Sequence, residues 1–141
     1  MLNTLYMIDI ESILAKNKTL QQALVMLKEA VESPSMTDLM RDGAIQRFEY
    51  CFELAWKTVK IIIEYEDKEI GGSPRSILQK AIVLGILEDE EEWFRMLLER
   101  NNSVHTYREE IAKEIAGHLK VNYTIMKKLC DRIVARYKQH E

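Results

Sequence analysis

An arginine, a histidine and a tyrosine stand close together in the eight-residue segment from Arg100 to Tyr107, which also contains Asn101 and His105. Arginine can hold a phosphate with two parallel hydrogen bonds and stabilise the charge that develops on it. Histidine titrates near neutral pH and can move the proton of a ribose 2′-hydroxyl or of a leaving oxygen. This combination of residue types is suited to RNA cleavage without a metal ion.

The spacing of this segment requires a break in the helix that carries it. On an unbroken helix, Arg100 and His105 would point roughly 140° apart, since 3.6 residues make one turn. Residues 101–103 are Asn, Asn and Ser, which have poor helix propensity and predict an end at this point. A break, or two chains facing each other, would let the two side chains converge. On spacing alone, a structural role is favoured, in which Arg100 pairs with a nearby glutamate and His105 caps a helix end.

The histidine and cysteine positions give no support to metal chemistry. Di-iron helical bundles place a glutamate three positions before a histidine, and no histidine of this chain has one. The two cysteines lie 79 positions apart, which matches neither a zinc site nor a disulfide framework and predicts reduced thiols. We expect no metal and no cofactor, and we expect His118 to lie at the surface. The histidines of the chain are His105, His118 and His140, and its cysteines are Cys51 and Cys130.

Two glutamates, Glu49 and Glu53, are spaced one helical turn apart and form a candidate carboxylate pair. A surface or interface role with Arg47 and Lys57 as partners is favoured over acid–base catalysis, because the pattern Glu53–Lys57 is a stabilising spacing on a helix.

The last helical segment contains a group of basic residues. They could follow a phosphate backbone, although a solvated helix face is the favoured interpretation. The group comprises Lys120, Lys127, Lys128, Arg132, Arg136 and Lys138, against Asp131 alone.

The composition determines which elements must position these residues. The 141 residues are 47% hydrophobic and 30% charged, with only 5 glycines and 2 prolines. Too few turn residues are present for a many-stranded sheet. We therefore predict an all-α fold, an antiparallel up-and-down bundle of four to five helices in one domain spanning 1–141.

The charge and the apolar runs limit the partners and the location. A net charge of −3 provides no broad basic field for nucleic acid or membrane. No apolar run reaches the length of a membrane span, and the first ten residues do not resemble a signal peptide. We expect a cytoplasmic protein with no membrane contact.

Apolar spacing and helix-end residues place the individual helices. Ser33 and Pro34 end the first helix, Ser73 and Pro74 begin the third, and Gly85 ends it. Thr106 and Glu109 have the spacing of a capping box for the final helix. The predicted helices are 9–32, 37–67, 74–84, a fourth from 89 to about 102, and 106–137.

Arg100, His105 and Tyr107 have the spacing R-x4-H-x-Y, which resembles the motif of HEPN-domain proteins of the HepT type. Several other segments, in order, resemble the family named as nucleotidyltransferase substrate-binding proteins. The resemblance covers about 20–133. The segments are Arg-Asp-Gly at 41–43, Gln-Arg-Phe-Glu at 46–49, Phe-Glu-Leu-Ala-Trp-Lys at 52–57, Ser-Pro-Arg at 73–75, and 93–101.

The resemblance implies an all-α homodimer with the motif near the dimer cleft, and a partner that is a separate minimal nucleotidyltransferase. HepT-type proteins are metal-independent ribonuclease toxins, and the nucleotidyltransferase is the antitoxin that adenylylates the motif tyrosine. By this resemblance Arg100 would bind the RNA phosphate and His105 would be the general acid–base. Asn101 would support the arginine, and Tyr107 would be the modification site.

Two alternative functions remain open. In the first, the chain is a non-catalytic subunit that binds a substrate for the nucleotidyltransferase, as the older family name implies. In the second, it is a decayed nuclease retained as a scaffold. The complete motif favours the nuclease, whereas the absence of a broad positive charge weighs against tight RNA binding.

Overall fold

Five α-helices form an antiparallel bundle in the computed structural model, which describes residues 9–67 and 71–138. No strand occurs in these two ranges, and the predicted all-α fold is confirmed. Within them, no helix combines the length and apolar character that crossing a membrane requires. The helices are α1 (Ile10–Val31), α2 (Asp38–Asp67), α3 (Pro74–Val83), α4 (Glu90–Asn102) and α5 (Glu109–Tyr137).

Local sequence signals account for most of the helix ends. The Asp9 side chain accepts a hydrogen bond from the backbone N–H of Ser12 at 2.8 Å and caps α1. Ser73 caps α3, and Pro74 is its first residue, as predicted. Gly85 follows α3 with a φ of +76°, a left-handed conformation that glycine adopts at little cost.

The predicted start of α5 is wrong. Its N-cap residue is Arg108, whose side chain makes no capping hydrogen bond, and the helix begins at Glu109 rather than Thr106. A short 3₁₀ turn, Ser103–His105, follows α4 directly. The chain then closes a tight turn in which the Arg108 N–H donates to the His105 carbonyl at 3.0 Å. This turn occupies the positions that the capping box would need.

The central element of the bundle is α2, the longest helix, which packs against α1, α3, α4 and α5. Its buried aromatic residues continue into α4. The Phe52 ring lies 6.2 Å from the rings of both Phe48 and Trp93, measured between centroids. All three side chains are buried. This packing fixes the distance between α2 and α4, the helix that ends at the candidate motif.

Helices α1 and α5 pack against α2 and against each other. The buried Asn17 of α1 donates to the Cys130 carbonyl of α5 at 3.2 Å. Cys51 and Cys130 are buried free thiols, and burial raises the pKa of both to about 12. Both thiols therefore stay protonated at neutral pH and are poor nucleophiles.

An ion pair joins the C-terminal ends of α2 and α5, far along both helices from the motif. Arg136 donates to both carboxylate oxygens of Glu66, at 2.7 and 2.5 Å, and the Tyr137 hydroxyl contacts the same carboxylate. The Arg136 guanidinium lowers the pKa of Glu66. The two longest helices are thus tied by a charged pair at this end.

Replacing Phe52 tests the aromatic packing between α2 and α4. Phe52→Ala should lower the free energy of unfolding by about 3–5 kcal/mol, because it leaves a cavity against Phe48 and Trp93. Urea unfolding monitored by circular dichroism measures the change. The matched control Tyr50→Ala removes an exposed aromatic of the same helix and should change the stability by less than about 0.5 kcal/mol. Equal losses of unfolding free energy in the two variants would contradict a stabilising role for the packing of Phe52 between α2 and α4.

Candidate functional site

The helix break that the motif requires is present. α4 ends at Asn102, and the Arg100 carbonyl accepts from the backbone N–H of Ser103. The Ser103 hydroxyl oxygen lies 2.7 Å from the same carbonyl. The following 3₁₀ turn carries His105 away from the direction of α4.

Arg100 pairs with a carboxylate of α2. Its Nη2 donates to Glu53, a residue 47 positions earlier in the chain. Glu53 also accepts from the Trp56 indole at 3.2 Å and lies 3.7 Å from the Lys57 ammonium. The predicted pairing of Arg100 with a glutamate is confirmed, as is that of Lys57 with Glu53.

Glu49 holds the residue that begins the break. Its carboxylate accepts from the Ser103 hydroxyl, and Ser103 is buried. The prediction that Arg47 is its partner is wrong. Arg47 points to α1, where it donates to the Met26 carbonyl at 2.7 Å and lies 3.5 Å from Glu29. The reason is the packing of α1 on that side of α2.

His105 and Tyr107 contact each other at the surface. The His105 Nδ1 lies 3.1 Å from the Tyr107 hydroxyl, and the two rings meet edge to face. Tyr107 is 79% exposed. The His105 imidazole thus hydrogen-bonds a phenol and does not cap a helix end, while its backbone carbonyl accepts from Arg108.

The structure places the predicted residues in two groups. Asn101 Oδ1 accepts from Arg100 Nη1 at 3.1 Å, so these two side chains form one group with Glu53. His105 and Tyr107 form the other. Among the hydrogen bonds of the described residues, none joins Arg100 to His105 within one chain. The break brings the groups to one end of α4 without closing them into a single site.

A buried polar cluster between α4 and α5 was not predicted. Glu99 is only 5% exposed, and its carboxylate contacts His118, while Arg95 and Asn122 each donate to it at 3.0 Å. The His118 side chain is 39% exposed, so it reaches the surface as expected, and it is also a structural partner of the buried Glu99. The Glu–Arg spacing on α4 was visible in the sequence, but nothing local indicated that α5 would supply the other donors.

The basic residues of α5 are largely neutralised by acidic neighbours. Lys127 lies 2.6 Å from Asp131, and Lys128 lies 3.0 Å from Asp89. Arg132 pairs with Glu88, and Arg136 pairs with Glu66. This face is balanced in charge, which favours the solvated-face interpretation over a phosphate track.

Metal-ligating residues are not grouped in the part of the chain that the structure describes: no three of its His, Cys, Asp or Glu side chains could hold one ion. His140 lies outside the described residues. The groups at the break are the Arg100 guanidinium, the His105 imidazole and the Tyr107 phenol, together with the carboxylates of Glu49 and Glu53.

The chain is similar to known proteins over most of its length. Residues 15–135 match the model of the family described as "Nucleotidyltransferase substrate binding protein like". A Haemophilus influenzae protein named "Probable ribonuclease HepT" is 28% identical over 109 residues, which cover 72% of this chain and 75% of that protein.

Two solved structures have the same fold. A Thermus thermophilus protein is 32% identical with a TM-score of 0.76, and the match covers 81% of this chain and 98% of that one. A Haemophilus influenzae protein is 25% identical with a TM-score of 0.64, covering 89% and 98%. The second is described as revealing the fold of a substrate-binding domain of a nucleotidyltransferase.

Removing the Glu99 carboxylate tests the buried cluster. Glu99→Ala should lower the free energy of unfolding by about 3 kcal/mol, because Arg95 and Asn122 lose a buried acceptor. The control Glu88→Ala removes an exposed carboxylate paired with Arg132 and should cost less than about 1 kcal/mol. Both are measured by urea unfolding, and similar losses would show that the cluster contributes no more than a surface pair.

Proposed function

The chain belongs to the nucleotidyltransferase substrate-binding-protein-like family, and from this premise we propose that it is a HepT-like toxin of a two-gene toxin–antitoxin system. In this proposal it is a metal-independent endoribonuclease that acts through Arg100, His105 and Tyr107. Its partner is a minimal nucleotidyltransferase that neutralises it by adenylylating Tyr107. The resemblance to a probable ribonuclease over three quarters of that relative supports the proposal.

One observation carries the proposal: an exposed imidazole contacts an exposed phenol at the helix break that follows Arg100. His105 is therefore accessible to an RNA chain. It would take the proton of a ribose 2′-hydroxyl as that oxygen attacks the adjacent phosphorus. The bond between phosphorus and the 5′-oxygen then breaks, and the leaving oxygen takes the proton back from the His105 imidazolium, so the products are a 2′,3′-cyclic phosphate and a 5′-hydroxyl. Arg100 would stabilise the charge on the phosphate oxygens.

A homodimer would complete this site. Arg100 and His105 do not contact each other in one chain, and two copies facing each other could combine the arginine of one with the histidine of the other. A shared cleft also agrees with the net charge of −3, because RNA contact would then be local.

Modification of Tyr107 gives a physical route to neutralisation. The phenol is exposed and its hydroxyl touches His105. Transfer of an adenylyl group from ATP to the phenol oxygen would release pyrophosphate and the phenol proton, and would place a negatively charged phosphodiester beside the imidazole. That charge and bulk would repel an RNA backbone.

The second candidate function is a non-catalytic subunit that binds a substrate for the nucleotidyltransferase. The pairing of Arg100 with Glu53 favours it, because the carboxylate neutralises the cation that RNA would need. The Haemophilus influenzae structure described as a substrate-binding domain supports it as well. This function predicts a stable complex with the nucleotidyltransferase and no RNA cleavage by the chain alone.

Cleavage of RNA in the presence of a chelator tests the first function. The full chain, purified without its partner, should cleave RNA in EDTA, and His105→Ala should reduce the rate by about 10²-fold or more. Val104→Ala is a matched control, since Val104 is exposed in the same turn, and should retain the rate.

Mixing two inactive variants tests the shared cleft. Arg100→Ala and His105→Ala chains, mixed and allowed to exchange, should regain part of the rate, because one cleft of each mixed dimer would hold an intact arginine and histidine. No cleavage by the unmodified chain, or equal cleavage by His105→Ala, would contradict the nuclease and favour the substrate-binding subunit.

Mass spectrometry tests the modification. Incubation with the partner nucleotidyltransferase and ATP should add one adenylyl group to the peptide that contains Tyr107, and the modified chain should lose cleavage. Tyr107→Phe should abolish the addition because the acceptor oxygen is gone. Tyr50→Phe, which removes the hydroxyl of another exposed tyrosine, should leave it unchanged. Addition at any other residue would contradict this role for Tyr107.

A further inference from the structure

We propose that Arg41 and Glu109 are positioning residues, which fix the turn that presents His105 and Tyr107. The catalytic consequence of this role rests on the proposed function, whereas the structural role does not. Among the contacts of the described residues, neither Arg41 nor Glu109 touches the His105 imidazole or the Tyr107 phenol. Arg41 and Glu109 act on the backbone segment that carries His105 and Tyr107 and leads into α5.

The geometry of the pair is that of a strong ion pair between two helix starts. Arg41 lies in the first turn of α2, and Glu109 is the first residue of α5. Two guanidinium nitrogens each donate to a different carboxylate oxygen, both at 3.0 Å. Paired bonds of this kind fix orientation as well as distance. The Arg41 guanidinium lowers the pKa of Glu109.

Arg41 is more enclosed than a usual surface arginine. Its side chain is 15% exposed, and its Nε is buried without a hydrogen-bond partner. The carboxylates of Asp38 and Asp42 approach it only to 3.9 and 4.0 Å. A cation in the first turn of a helix also faces the positive end of the helix dipole. Glu109 therefore supplies the hydrogen bonds that this position needs.

The start of α5 depends on this pair because its own segment provides no cap. Arg108 is the N-cap residue and its side chain makes no capping bond. A helix start without a side-chain cap loses a stabilising interaction of about 1 kcal/mol. Glu109 stabilises the end of the helix by its charge, and Arg41 ties that end to α2.

The motif turn is consequently anchored at both ends to the same helix. Glu49 of α2 holds Ser103 at its beginning, and Arg41 of α2 holds Glu109 at its end. Between these anchors the Tyr107 side chain is exposed and bonds to His105. The position of the hydroxyl relative to the imidazole is then set by the two anchor points.

The other end of α5 provides a matched control. Glu66 and Arg136 also form a two-bond ion pair between α2 and α5, but far from the motif turn. Loss of that pair loosens the same two helices without reaching the turn. A comparison of the two pairs separates positioning of the turn from general destabilisation.

Hydrogen–deuterium exchange of the full chain tests the structural role. In Glu109→Gln and in Arg41→Gln, the amides of 103–112 should exchange about ten-fold faster, as expected for a local opening. The double variant should be no faster than either single variant, because both remove one interaction. Glu66→Gln should leave these amides unchanged. No acceleration in Glu109→Gln, or the same acceleration in Glu66→Gln, overturns the positioning role.

RNA cleavage in EDTA tests the catalytic consequence. Glu109→Gln should lower kcat about five-fold or more with KM unchanged, because a displaced histidine affects the chemical step more than RNA binding. Glu66→Gln should retain kcat. Faster exchange with an unchanged kcat overturns the catalytic consequence. If the unmodified chain cleaves no RNA, the proposed nuclease fails while the exchange data still decide the role of the pair.

Discussion

Two carboxylates of α2, Glu49 and Glu53, fix the end of α4, and the candidate site depends on that attachment. At the end of α4, the Glu49 carboxylate accepts from Ser103 and the Glu53 carboxylate accepts from Arg100. A helix that ends in exposed residues usually frays, and here the end is held by charged and polar bonds to a longer helix. Because α2 packs against four other helices, the backbone positions that carry these carboxylates are fixed by the core.

The same helix carries the aromatic core and holds the motif segment. Phe48 and Phe52 enter the core, and Glu49 and Glu53 each project about 100° from the phenylalanine that precedes them. Arg41 projects between the directions of Phe48 and Phe52, but about two turns nearer the start of α2. Side chains of α2 thus hold the start, the break and the end of the motif segment, while its aromatic residues set the distance to α4.

The fold followed from the sequence wherever a residue type forces a helix to end. The serine–proline at 73–74 and Gly85 placed α3 correctly, because their backbone preferences act locally. The start of α5 did not follow, since the Thr106 cap competes with a turn held by contacts to α2. Arg41 and Glu109 lie 68 positions apart, and Glu99 and Asn122 lie 23 apart. Residue spacing shows which side chains share a helix face, but not which faces meet.

The pairing of Arg100 with Glu53 constrains how any phosphate could bind. A guanidinium has five N–H donors, and Glu53 and Asn101 together engage only two of its nitrogens. Donors therefore remain for a phosphate, but the charge of the arginine is already balanced by the carboxylate. An approaching phosphate meets hydrogen-bond donors in fixed positions and little net attraction. Specific recognition at this residue would then come from geometry, and the electrostatic attraction for RNA would have to come from other basic groups.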